Sequence, residues 1–184
     1  MISITPRFAT LLTVVILFHS GCKPKETSKE NPAKTRIDSL EGEVRKATEA
    51  NPGQPDLKLA MHLAKDYQNY EADYPKDSLS PMYLFKSGQL IENVFDDKTR
   101  AGEIYFSVFK KYPKSKAAPY ALFMTGNMYH TIQDTTHAVQ ILQFFLDKYP
   151  GHELGDDAMH LIESFGQKAD TTSRPVKELP MNPL

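Results

Sequence analysis

Tryptophan is absent from this 184-residue chain, and cysteine occurs once, as Cys22. A single cysteine excludes an intrachain disulfide, so the compartment has to be read from other features. Charge of one sign is also lacking. The formal net charge of −1 gives no broad basic field of the kind that draws a protein to nucleic acid. The longest apolar run, residues 8–18, is too short to cross a bilayer, which takes roughly 20 residues. No G-x-S-x-G, no Gly-rich phosphate loop and no H-E-x-x-H occurs, so the common motifs of acyl transfer, nucleotide binding and zinc hydrolysis are missing. The reading is therefore non-catalytic, with no cofactor and no metal expected. The competing class is a hydrolase of unrecognised type. What is plentiful is bulky ring filler for helix interfaces, with 10 Phe and 9 Tyr.

The N-terminus supplies an address. Arg7 precedes the apolar run, and two small residues, Ser20 and Gly21, stand directly before Cys22. A short apolar core of this kind suits a signal peptide, and an ordinary secretory signal with an incidental cysteine is one reading. The pattern also resembles the lipobox of bacterial lipoproteins, although His19 stands where that family usually has Leu. The resemblance implies a signal peptide over residues 1–21, lipidation of Cys22 and a membrane-anchored mature chain. Lys23 follows the cysteine where Asp would suggest inner-membrane retention in some bacteria, which points to the outer membrane, facing the periplasm. Residues 23–34 are charged, hold two prolines and lack any large apolar side chain, so 22–34 reads as a lipidated cysteine with a flexible tether. Residues 169–184 carry Pro175, Pro180 and Pro183 and read as an irregular tail. Folded structure is expected over 35–168.

Inside that window the sequence repeats itself. Tyr-Pro occurs at Tyr74-Pro75, Tyr112-Pro113 and Tyr149-Pro150, at spacings of 38 and 37 residues. Before Pro113 the apolar set is Ala101, Ile104, Tyr105, Val108, Phe109 and Tyr112; before Pro150 it is Ala138, Ile141, Leu142, Phe145, Leu146 and Tyr149. Both follow i, i+3, i+4, i+7, i+8, i+11, one face of an α-helix. Before Pro75 only Leu63, Tyr67, Tyr70 and Tyr74 fit. Asp66 and Glu71 take two apolar slots, as in a degraded terminal unit whose helix spans 56–73. Ser80-Pro81 reads as an N-cap and first helical residue. Gly88 and Gly126 stand mid-helix at matching positions, each at a cost of about 1 kcal/mol relative to Ala. That predicts a partner helix passing close through a small residue such as Ala101 or Ala138. A helix over 35–49, with Ile37, Leu40, Val44 and Ala47, and an unpaired helix near 157–167 complete about seven antiparallel helices.

The small residue in one helix, the Ala opening the next, the bulky residue four later and the closing Pro resemble the tetratricopeptide repeat. These are Gly88, Ala101, Tyr105 and Pro113 in one unit, and Gly126, Tyr129, Ala138, Leu142 and Pro150 in the next. The resemblance implies an all-α helical repeat array, an α-solenoid, that binds proteins. The run KKYPKSKAAPYALFMTGNMYHTIQDTTHAVQILQFFLDKYPGH is similar to repeats of the outer-membrane β-barrel assembly lipoprotein and of the periplasmic Tol–Pal coordinator. That implies a scaffold in outer-membrane protein assembly or, alternatively, in envelope maintenance or division. Its partners would be envelope proteins or extended peptides.

Carried onto this register, the family's groove positions fall at Met82, Phe85, Gln89, Glu92 and Asn93, then at Tyr120, Phe123, Asn127, His130 and Thr131. Carboxamides can bond a peptide backbone and aromatics can anchor its side chains. The plainer reading puts the Phe residues in the core and leaves the amides as solvated surface. His152, Asp156, Asp157 and His160, with His130 and His137 near a turn, could be taken for a metal set. Asp156 and Asp157 have a simpler role as acids in the first turn of a helix.

Overall fold

A computed structural model describes residues 31–166. The leader over 1–21, Cys22, the tether through residue 30 and the tail over 169–184 lie outside the described residues. Within them stand seven α-helices and no strand: α1 Pro32–Ala50, α2 Leu57–Asp73, α3 Ser80–Phe95, α4 Lys98–Lys111, α5 Ala117–Thr131, α6 Thr135–Lys148 and α7 Gly155–Ser164. Each packs on the next, with connections short enough to force antiparallel neighbours.

The three Tyr-Pro turns share one backbone geometry. Tyr74, Tyr112 and Tyr149 sit at φ/ψ of −127/54°, −128/53° and −125/61°. Proline disfavours helical backbone at the residue before it, so each helix must stop there. The N–H three residues on then returns to the tyrosine carbonyl, from Asp77, Ser115 and His152 respectively. The opposite turns repeat as well. Asp96 and Gln133 adopt positive φ of 54° and 63°, and the aspartate after each chain reversal caps the next helix. Asp97 accepts from the Arg100 N–H at 3.0 Å and Asp134 from the His137 N–H at 3.1 Å; Asp56 does the same for Leu59 at 2.9 Å.

Several local expectations are corrected. Asn31 caps α1 through its side chain, accepting from Ala33 N–H at 2.9 Å, with Pro32 in the first turn. Ordered structure therefore begins before residue 35, within the segment read as tether. Ser80 is the first residue of α3 rather than its cap, and its hydroxyl donates to the Tyr74 carbonyl. The last helix, expected near 157–167, is α7, Gly155–Ser164, which starts two residues earlier and ends at Ser164.

Both sets of apolar residues do face the core. Ala101, Tyr105, Val108, Phe109, Ala138, Ile141, Leu142 and Phe145 are buried and belong to one cluster that extends to Ala158 and Ile162 of α7. Ile37, Leu63, Tyr67, Tyr70 and Tyr83 form a second, smaller cluster, against which Leu40 and Val44 of α1 pack. Gly88 and Gly126 mark close approaches, but not to Ala101 or Ala138. A Cβ on Gly88 would stand 2.7 Å from the Tyr105 ring, and one on Gly126 2.7 Å from Leu142. The neighbours are the bulky residues four positions after each alanine. The ring or branched side chain, not a small one, fills the gap that the glycine leaves.

Asp66 and Glu71, the two misfits of the first unit, are buried and paired. Asp66 lies 2.7 Å from Arg36 Nε of α1, close but not aligned as a hydrogen bond. Glu41 joins three helices: it accepts from Tyr67 at 2.6 Å and from Lys86 at 2.8 Å. Burial pushes the Glu41 carboxyl up, but those two donors and the lysine charge outweigh it and hold the group below its ordinary range.

Candidate functional site

Alternate helices approach one another on one side of the array only. The backbones of α3 and α5 approach within 8 Å between Cα atoms, as do those of α5 and α7, whereas those of α1 and α3, of α2 and α4, and of α4 and α6 do not. The side formed by α3, α5 and α7 is therefore the closer-packed, inner one, and the resemblance-derived groove positions fall on α3 and α5.

The structure divides those positions into two groups. Some are used for internal packing. Phe123 is buried, edge-on to Phe145 at 5.8 Å, so its ring belongs to the α5–α6 interface. Phe85 is half-buried with its ring 5.1 Å from Tyr105. Glu92 accepts from the Tyr105 hydroxyl at 2.6 Å, and burial, reinforced by this bond, pushes that phenol well above its usual range. His130 tilts over Phe165 at 4.7 Å and its Nε2 lies 2.7 Å from Ser164 Oγ, which joins α5 to α7. Tyr120 donates to Glu153 and meets His152 edge-on at 5.2 Å, although the residue stays 39% exposed.

The other group is open. Met82, Gln89, Asn93 and Thr131 are exposed and Asn127 is half-buried. The carboxamides of Gln89, Asn93 and Asn127 make no side-chain hydrogen bond within the described residues. Gln89 and Asn127 both stand fourteen residues after their repeat prolines, Pro75 and Pro113. Met82 and Tyr120 likewise both stand seven after. The alternate helices α3 and α5 thus each offer an apolar side chain near one end and a free amide two turns on. An extended peptide has complementary groups for both.

A second feature lies on the outer side. Glu71, Ala72, Pro75, Lys111 and Tyr112 line a cleft of about 420 Å³ where α2 and α4 end. The Glu71 carboxylate accepts from Lys111 Nζ at 3.0 and 3.1 Å and from the Tyr112 hydroxyl at 2.7 Å. One unit further on, the residue matching Glu71 is Phe109, and the consequences are visible. Tyr149 keeps a buried hydroxyl without a partner, and Lys148 lies over the Phe109 and Phe144 rings at 5.7 Å each. The charged groups of the cleft are thus paired with one another. The sequence signal for it was the carboxylate in an apolar slot.

The imidazoles are dispersed. No group of three or more His, Cys, Asp or Glu among the described residues is placed to hold a metal ion. His152 meets the Phe145 ring edge-on at 5.5 Å, and its Nδ1 accepts from Leu154 N–H at 3.2 Å. Asp156, Asp157 and His160 are exposed on α7, the two acids in its first turn. His137 stacks on Tyr129 at 5.1 Å with Nδ1 2.8 Å from Asp134, whose main task is the α6 cap. Burial, reinforced by Asp134, pushes the Tyr129 phenol up to about 12.

No protein-family model matches this chain, and no curated protein matches it.

Proposed function

We propose that this protein is a non-catalytic, protein-binding scaffold of the bacterial cell envelope, lipid-anchored at Cys22 in the outer membrane and facing the periplasm. The observation that carries the binding role is the pair of free amides, Gln89 and Asn127, at one offset on neighbouring helices of the inner face. Repetition of a donor–acceptor group along a row of helices suits a partner with a repeating backbone, an extended segment of another envelope protein. The repeats' similarity to those of the β-barrel assembly lipoprotein makes outer-membrane protein assembly the setting to test first. The anchor rests on the lipobox pattern before Cys22.

Crosslinking in envelopes, followed by mass spectrometry of the captured protein, tests the binding role. A net hydrogen bond contributes about 1 kcal/mol, so Gln89→Ala with Asn127→Ala should weaken capture by about an order of magnitude or more. Helix content should be unchanged, because neither side chain is bonded. Undiminished capture by the double variant would place binding elsewhere. Cys22→Ala should abolish labelled-palmitate incorporation and release the chain from the membrane fraction; persistent label would refute the anchor.

A further inference from the structure

The lysines of this chain are unevenly placed. Residues 104–133 contain four lysines, Lys110, Lys111, Lys114 and Lys116, and no carboxylate. All four sit where α4 ends and α5 begins, at the Tyr112-Pro113 turn. Lys111 is committed to Glu71. Lys110 lies 5.5 Å over the Phe106 ring, and Lys114 and Lys116 project exposed from the turn. The matching turn after Tyr74 adds exposed Lys76, and the end of α6 adds Lys148. Among carboxylates at this edge, Glu71 is paired with Lys111, Asp77 accepts from the Leu79 N–H, Glu153 accepts from Tyr120, Asp147 accepts from Gln143, and Asp73 is exposed, as are Asp156 and Asp157 in the first turn of α7, so the excess of positive charge is local to the Tyr112-Pro113 turn. The opposite edge carries the acidic caps Asp56, Asp97 and Asp134, with Asp96 beside them.

The direction of the helices adds a second, independent observation. Consecutive helices alternate, so α1, α3 and α5 all start from the same edge, the one with the Tyr-Pro turns. Asn31, where the preceding chain joins α1, is therefore at the lysine edge. Asn31 is nine positions after Cys22, and nine residues reach no more than about 30 Å.

We propose that the Tyr-Pro edge is a membrane-docking surface that lies against anionic phospholipid headgroups, with Lys110, Lys114 and Lys116 as its main contacts. The proximity argument rests on the proposed anchor at Cys22; the charge argument does not. Lysines beside an anionic leaflet each raise partitioning about fivefold at low salt, and several act together. With this edge down, the array stands with its helices across the membrane plane, and the inner face stays open to the periplasm.

The test uses the full chain carrying Cys22→Ala, so that no acyl chain contributes. It is sedimented with phosphatidylcholine vesicles with and without phosphatidylglycerol. The apolar leader is common to every variant, so the readout is the difference that anionic lipid makes. Added phosphatidylglycerol should raise partitioning at low salt, and added salt should remove the gain. Lys110→Gln, Lys114→Gln and Lys116→Gln together should lower binding to anionic vesicles by up to about a hundredfold, leaving phosphatidylcholine binding and helix content unchanged. Lys58→Gln with Arg100→Gln, at the opposite edge, should match the parent. Parent-like binding by the triple variant, or an equal loss in the opposite-edge variant, overturns the proposal. So does a triple variant that keeps vesicle binding but loses a protein crosslink, which would make the edge a protein-docking site. Failure of palmitate labelling removes the anchor alone and leaves the vesicle result to stand or fall separately.

Discussion

Adding one methyl group at Gly126 probes how closely α5 and α6 approach. The new Cβ would stand 2.7 Å from both Cγ and Cδ2 of Leu142 and 3.4 Å from Cγ2 of Ile141. Leu142 and Ile141 are fully buried, so neither can swing into solvent to make room. Forcing extra volume into such a site costs about 1–3 kcal/mol. Alanine in a helix interior returns about 1 kcal/mol relative to glycine. The net expectation for Gly126→Ala is destabilisation by about 1 kcal/mol. Gly42 supplies the control: it lies within α1, and a Cβ there meets nothing within 4 Å. Gly42→Ala carries only the propensity gain, so it should stabilise by up to about 1 kcal/mol. The propensity contribution is common to both, and the difference between them isolates the clash. In urea unfolding followed by far-UV circular dichroism, with a slope of about 2 kcal/mol/M, the two midpoints should move about 0.5 M in opposite directions. A midpoint that rises for Gly126→Ala as it does for Gly42→Ala would refute the close approach. As a further check, Leu142→Ala should cost about 2–5 kcal/mol alone. Combined with Gly126→Ala it should cost less than the sum, since the new methyl enters the vacated space.

Glu71→Leu installs the residue type that Phe109 and Leu146 hold in the later units, and Lys111 is exposed enough to rehydrate. It should cost at least about 1 kcal/mol less than Glu71→Ala in the same unfolding assay, and equal losses would mean that the carboxylate itself carries the stability. Asp134 is held below its ordinary range chiefly by the His137 backbone N–H, which outweighs the opposing effect of burial, with a lesser contribution from the His137 ring. A folded pKa below the unfolded value near 3.8 contributes stability that is present above that value and lost as pH falls through the lower folded one. The melting temperature should therefore fall below about pH 4, less steeply in Asp134→Asn, which keeps a capping oxygen; identical slopes would sink the assignment.

Helix positions and ends were readable along the chain because their causes act over a few residues. Proline stops the helix at Tyr74, Tyr112 and Tyr149 whatever else surrounds it. The spacing of Ala138, Ile141, Leu142 and Phe145 selects a buried face without reference to any partner. The misreadings at this level were equally local: Asn31 caps α1 inside a segment whose polarity suggested only a tether, and Ser80 bonds backward to Tyr74 instead of capping.

Which residues meet across helices was not readable in that way. The same helical spacing places Phe85 and Phe123 at equivalent positions, yet one is half-buried and the other lies in the core against Phe145. Glu92 and His130 also match in register, but Glu92 is engaged by Tyr105 in the next helix, while His130 reaches α7. Of the ten groove positions, the open amides became distinguishable only once such contacts were known. Glu71 was visible as an oddity at an apolar slot, but Lys111 and Tyr112, which make its burial tolerable, lie 40 and 41 residues further along. A one-dimensional pattern encodes which side of each helix faces inward. Interhelical register, set by how glycine gaps receive bulky neighbours, decides which side chain that face encounters.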